Sequence, residues 1–268
     1  MSSFFPFFIL LSVSVFYMLV VWFFSLKIKN YSIVDIAWSA GFALLAILLF
    51  LFTPGYWARK GLITAMVVIW SFRLAWHLAM RIYKLHPEEE GRYQNLRRQW
   101  KTQLPLKFFF FFEFQGLLLA FLSFPFLLIM RNGEPRLHFF EFTGAAFWLV
   151  GVTGEAIADA QLARFKADPK NRGKTCEAGL WNYSRHPNYF FEWLIWVSYF
   201  VFALASPGGW ISLYAPLLML YFLFKVTGIP ATEEQAQKSR GEEYRRYQQT
   251  TSAFVPWFKK ELRRASNA

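Results

Sequence analysis

Cysteine occurs once in the 268 residues, at Cys176, so no internal disulfide framework can form, and the lack of any CxxC or Cys/His cluster excludes a structural zinc site. Charge is scarce as well: Asp, Glu, Lys and Arg make up 17% of the chain, against about 25% in a typical soluble domain. That shortage argues against an ordinary soluble enzyme. Acids are the scarcer sign, 17 against 29 Lys and Arg, which leaves a formal net charge of +12. No internal repeat and no low-complexity linker interrupts the sequence, so a single integral membrane domain, 1–268, is the expected organisation.

Apolar residues fill the chain instead: 56% are hydrophobic and 21% aromatic, with 33 Phe and 12 Trp. Runs close to the length a bilayer requires fall near 4–26, 33–52, 61–80, 106–130, 139–160, 189–205 and 210–227. They predict an all-α polytopic membrane bundle of about seven transmembrane helices. The first run has no basic residue before it and no small-residue cleavage site after it, so it is expected to be a retained span and not a signal peptide. Of the 29 Lys and Arg, 24 fall in alternate connections, the first, third and fifth, and in the segment after the last span. Cytoplasmic loops collect positive charge. The N-terminus is therefore expected outside and the C-terminus in the cytoplasm, with a polar interfacial helix after Gly228. The same sorting assigns the basic balance to the inner leaflet and an anionic cofactor, with membrane lipids as partners and no nucleic acid.

Polar groups inside spans are costly and usually face a bundle interior or a wet cavity. Arg73, His77 and Arg81, in WSFRLAWHLAMR, recur at i, i+4 and i+8, a basic stripe suited to a polyanionic ligand. Glu155, Asp159 and Lys166 fall within about 40° of one another on a 3.6-residue helix. Two acids on one face in lipid need partners: either the basic stripe supplies them, or they take ribose hydroxyls or ligand amines. Asp35, near the start of the second span, is either a helix-start carboxylate or part of the site. In GLWNYSRHPNYFFEWLIW, Pro187 marks a first helical turn, and Arg185, Asn188 and Glu192 follow one face. The backbone N–H groups there, with Arg185, His186, Lys166 and Lys174, make a phosphate site. In the tail, Tyr244 and Tyr247 sit three residues apart, and Glu233 follows the turn formed by Gly228 and Pro230.

ADAQLARFK, GLWNYSRHPNYFFE and GEEYRRYQQTTSAFVPWF together resemble the steroid 5-alpha-reductase-like membrane proteins, in particular a bacterial branch of reductase-like proteins. The likeness is specific over 106–258 and looser in the first half, through DIAW, RLAWHLAMR and Tyr93. It implies NADPH-dependent reduction of a carbon-carbon double bond in an enone or sterol-like, hydrophobic substrate that enters from the bilayer, in a bacterial inner membrane. Position by position it implies cofactor contacts from Asp159, Lys166, Trp181, Tyr183, Arg185, His186, Asn188, Glu192, Glu233, Tyr244 and Tyr247, joined by the stripe of Arg73, His77 and Arg81. A protein acid would assist the developing oxyanion, with Glu192 ranked first and Asp35 and Tyr93 as alternatives. Two positions depart from the pattern: Leu162 stands where a basic residue is usual, and Phe191 stands where glycine is usual, which would crowd the helix beside the site. The RHP element and tail also resemble isoprenylcysteine carboxyl methyltransferases, which bind S-adenosylmethionine in a similar pocket. The basic stripe favours NADPH, which carries phosphates. A non-enzymatic lipid-binding protein is the third reading, and the retained acids and bases weigh against it.

Overall fold

The computed structural model describes residues 5–226 and 228–261. Among them helix is the only extended regular structure, and one isolated parallel bridge joins Ser184 to Ser252. In chain order the helices are α1 (Phe5–Ile28), α2 (Ile33–Phe52), α3 (Trp57–Leu85), α4 (Gly91–Trp100), α5 (Leu104–Met130), α6 (Phe139–Ala167), α7 (Pro187–Ala203), α8 (Tyr214–Tyr221) and α9 (Ile229–Thr250). A π turn at Phe222–Val226 continues α8.

Among the described residues, Pro6–Ile28, Ile33–Phe52, Trp57–Leu85, Leu104–Met130 and a run starting at Gly209 are helical, long and apolar enough to cross a bilayer. The apolar part of the last run ends before α9, which is polar. α6 and α7 overlap the expected spans 139–160 and 189–205, but α6 carries Glu155 and Asp159 in its second half and α7 has only 17 residues. The chain is an all-α polytopic membrane protein.

Two compact units divide the contacts: residues up to His138 with Ala203–Gly209, and Phe139–Phe202 with the residues from Trp210 onward. In the first unit α2 packs on α3 and α5, and α1 packs on α5. Close approach needs small residues, and a methyl group on Gly116 would stand 3.1 Å from Ser14 O of α1. Arg59, one of the five Lys and Arg outside the positively charged connections, is fully buried. Its Nη1 donates to Asn132 O and Glu134 O at 3.0 and 2.7 Å, and its Nη2 donates to Arg136 O at 2.5 Å. Those carbonyls lie beyond the end of α5, where no helical N–H is left to serve them.

In the second unit α6 and α7 meet along Gly144, Gly151 and Gly154 of α6. A methyl group on Gly144 would lie 2.8 Å from Ser198 O. Gly154 faces the Phe191 ring so closely that any side chain there would overlap it. The bulk expected to crowd the site is thus absorbed by a missing side chain on the neighbouring helix. α9 is not straight. Gly241 adopts φ 53° and ψ −125°, a conformation open to glycine and strained for other residues. Gln248 Nε2 donates to Glu233 Oε2 at 2.8 Å, whereas 15 residues of straight helix would span about 22 Å. The chain therefore folds back at Gly241, and α9 is a helical hairpin.

Candidate functional site

Each unit holds a knot built on a carboxylate and an arginine. In the second unit, Pro187 opens α7, as its fixed φ and missing N–H favour. Ser184, Arg185 and His186 form the turn before it. Arg185 N donates to Ser252 O at 2.8 Å and Trp257 N to Tyr183 O at 2.9 Å, so the segment after α9 lies along this turn. Trp181 Nε1 donates to Ala158 O at 2.9 Å and Leu180 N to Gln161 Oε1 at 2.8 Å, fastening the preceding loop to α6.

The Arg185 side chain is 10% exposed and Glu233's is 16% exposed. Arg185 Nε donates to Glu233 Oε1 at 2.6 Å, and its Nη1 donates to Gln248 O at 2.9 Å and Thr251 O at 2.6 Å. His186 Nε2 lies 3.2 Å from the same Glu233 oxygen. Burial alone would raise the Glu233 carboxyl, but hydrogen bonds from His186 and Arg185, the Arg185 charge and Gln248 hold it down at about 2. Burial pushes His186 below the ordinary histidine range against the pull of Glu233. The knot is an ionised pair beside a neutral imidazole.

Asn188 Nδ2 lies 3.4 Å from Asp159 Oδ1, and Asp159 is buried. The other Asn188 polar atom, Oδ1, is screened from solvent with no protein donor in reach. Tyr247 OH donates to the carbonyls of Trp181 and, at 3.1 Å, Ser184, while its ring packs on Tyr244 at 5.8 Å between centroids. Both tyrosines are buried braces. Tyr183 is exposed and meets Phe258 edge-on. Lys166 is exposed near the end of α6, and Glu192 is half-buried on α7. A cleft of 420 Å³ beside Arg185 is lined by Gln248, Thr251, Ser252, Trp257, Phe258 and Lys260 among others. Trp257, Phe258 and Lys260 escape sequence reasoning as site residues, although the run AFVPWFKK pairs aromatics with cations.

In the first unit the knot joins α2 to α4. Arg92 Nη2 donates to Asp35 Oδ1 and Oδ2 at 2.7 and 2.8 Å and to Tyr93 OH at 2.7 Å, and Tyr93 OH donates to Asp35 Oδ1 at 2.8 Å. Tyr93 is 0% exposed. Burial and then Asp35 push its hydroxyl well above the ordinary tyrosine range against the opposing Arg92 charge, so it keeps its proton at neutral pH. Asp35 does sit in the first turn of α2, and it also holds Tyr93. The partner missed by sequence reading is Arg92. Two residues before α4, Glu89 accepts from Tyr31 N at 2.6 Å and from Arg97, whose guanidinium lies 4.6 Å above the Tyr31 ring, and so fastens α4 to the α1–α2 loop.

Of the basic stripe on α3, Arg73 and His77 are half-buried, while Arg81 is exposed and bonded to Glu90 at 2.9 Å. Among the described residues no group of three or more His, Cys, Asp and Glu could hold a metal.

Over 109 residues, 40% of this chain and 36% of the relative, the sequence is 32% identical to "Probable O-methyltransferase ustE" of Ustilaginoidea virens. It is 28% identical over 213 residues, 70% of this chain and 62% of the relative, to "Uncharacterized protein C594.04c" of Schizosaccharomyces pombe. The chain thus spans less than two thirds of the length of either curated relative. No solved structure matches it. The family described as "Protein of unknown function (DUF1295)" matches residues 21–251, and the chain belongs to that family.

Proposed function

We propose that the protein is a membrane-embedded, NADPH-dependent reductase of a carbon-carbon double bond conjugated to a carbonyl in a hydrophobic, lipid-like molecule. The observation that carries this reading is the bond between Tyr93 OH and Asp35 beside Arg92. Reducing an enone requires a donor for the oxygen on which negative charge develops. A buried phenol that keeps its proton meets that need, whereas methyl transfer develops no such oxyanion and has no use for the donor. Bound NADPH would supply the hydride. Tyr93 turns its O–H from Asp35 Oδ1 to the substrate carbonyl and delivers the proton there, Arg92, already donating to the phenol oxygen, stabilises the phenolate left behind, and a proton from solvent restores the phenol once product has left. Asp35 holds Arg92 and orients Tyr93 between turnovers. Tyr93 and Asp35 thereby move ahead of Glu192 as the favoured acid.

Taken by itself, the second unit carries groups suited to a ribose. Asn188 Oδ1, screened and without a protein donor, accepts from a ribose hydroxyl, with Asp159 beside it. Lys260, which lines the cleft beside Arg185, is a cation available to a phosphate there, since Arg185 is already committed to Glu233 and two carbonyls. That commitment favours a second reading, an S-adenosylmethionine-dependent methyltransferase. S-adenosylmethionine shares the ribose and has no phosphate, and one relative carries a methyltransferase name. Titrating the purified full-length protein with both cofactors decides between them. Micromolar binding of NADPH but not S-adenosylmethionine is expected, and the reverse overturns the reductase reading.

The proposal places the site in a bacterial inner membrane, opening to the cytoplasm, with the N-terminus outside. Because Arg59 is buried, sidedness is better tested at Gly133, where a side chain meets nothing within 4 Å, and at exposed Arg172. In a protein lacking Cys176, Gly133→Cys and Arg172→Cys should react with an impermeant maleimide from opposite sides, and same-side labelling refutes the topology.

A further inference from the structure

α5 contains an acid that neither knot uses. Glu113 interrupts the run FFFFFEF, and both of its carboxyl oxygens are screened from solvent with no hydrogen-bond partner. It lies nine residues into α5, about 14 Å along the axis at 1.5 Å per residue, inside a hydrocarbon core of about 30 Å. A glutamate side chain is too short to reach an interface from there. An acid in hydrocarbon with no partner costs several kcal/mol in either protonation state.

Three partners are conceivable, and two lack support. A divalent cation takes six or more oxygen ligands, whereas the residues a turn away from Glu113 on either side are Phe109, Phe110, Gly116 and Leu117. A proton relay needs a polar neighbour to pass to; the same four residues offer none, and the Ser14 hydroxyl of α1, whose backbone oxygen faces Gly116, donates to Leu10 O instead. The surroundings instead describe a lipid-facing surface. Phe110, Phe114 and Leu117, which flank Glu113 on the helix, are 63%, 50% and 47% exposed. The Glu113 side chain is itself only half-buried, so its stem reaches this surface while both oxygens are turned beneath it, and a ligand would meet the carboxyl once it turned outward about its own side-chain bonds.

We infer that Glu113 is the polar anchor of a site on the lipid-facing side of α5 for an uncharged, lipid-soluble molecule bearing a hydroxyl group. A hydroxyl both donates and accepts, so it satisfies the carboxyl in either protonation state. The Phe110, Phe114 and Leu117 side chains supply the apolar bed on which the hydrocarbon part lies.

The test uses the full-length protein in phosphatidylcholine vesicles and two photoreactive probes, a long-chain alcohol carrying a diazirine and its methyl ether, which differ only in the O–H. The alcohol should label the 104–117 segment at least about fivefold more than the ether, the scale of one net hydrogen bond. Glu113→Leu should bring alcohol labelling down to the ether level, and Glu113→Gln, which keeps a donor and an acceptor, should retain it. Without probe, Glu113→Leu should melt at the same temperature or higher, because an unpartnered polar group is replaced by an apolar one. Equal labelling by the two probes, undiminished labelling of Glu113→Leu, or a lower melting temperature for that variant would each overturn the assignment, the last by showing that Glu113 serves the fold.

Discussion

The two arginine–carboxylate knots are made of the same groups and are wired for different work. Arg185 meets Glu233 and two backbone carbonyls, and these three contacts tie the turn before α7 to the first arm of α9, its second arm and the segment after it. Arg92 instead aims a single Nη2 at one carboxylate and one phenol, and its buried Nε is left without an acceptor. An arginine that satisfies several carbonyls fixes architecture. One that shares a hydroxyl with a carboxylate would, on the proposed function, hold a proton where it can be handed over.

The largest effect should come from Tyr93. Tyr93→Phe should lower substrate-dependent NADPH oxidation by about 10²–10⁴, the usual contribution of a positioned acid, with cofactor affinity unchanged in a direct titration. Undiminished turnover would reduce this knot to a structural one and dissolve the contrast. Glu233→Ala should do the opposite, costing about 3–5 kcal/mol of stability because it leaves Arg185 buried and unpaired, as measured by chemical denaturation in detergent. A loss under ~1 kcal/mol accompanied by lost cofactor binding would recast Glu233 as a ligand group.

Smaller effects sharpen the architectural side. Gly154→Ala forces a methyl group into the Phe191 ring and should cost about 1–3 kcal/mol. Adding Phe191→Ala should recover most of it, since residues in contact couple. Additive losses would mean that the two positions do not compensate each other. The smallest expected effect is acid sensitivity. His186 titrates below its ordinary 6.5 in the fold, so as pH falls through 6.5 the unfolded chain takes a proton that the folded one refuses, and stability drops. Glu233 adds a second loss of the same sign between its ordinary 4.5 and about 2. Melting temperatures followed from pH 7 to 4.5 should fall, and His186→Gln should flatten that slope.

Much of the helical pattern is legible in the chain because apolar run length and breakers act locally. Ile33–Phe52 has the expected bounds, with Pro54 and Gly55 just beyond, and Pro187 opens its helix. The burial of Arg59 is not legible, because the sequence does not show which carbonyls a loop charge will meet. Phe191 looked like an obstruction because Gly154, 37 positions earlier, is its neighbour only in the fold. Arg92 and Gln248 were missed for the same reason: their partners Asp35 and Glu233 lie 57 and 15 residues away. Glu113 is a different kind of miss. An acid amid phenylalanines is visible in the sequence, and the rule that intramembrane charge marks function was enough to select it.

The tie on Arg185 also has a consequence in time. Its side-chain partners follow it by 48 to 66 residues. At about 5–20 residues per second of synthesis, the guanidinium waits roughly 3–13 s before they are made. On the proposed topology it is meanwhile a bare cation at the start of the apolar helix α7, which is what the bias toward a cytoplasmic location would act on. The pairing that later neutralises Arg185 arrives too late to erase its vote on orientation. An ion pair in the finished protein can thus count as an unpaired charge during biogenesis, and a substitution at Glu233 should weaken the fold without turning the topology around.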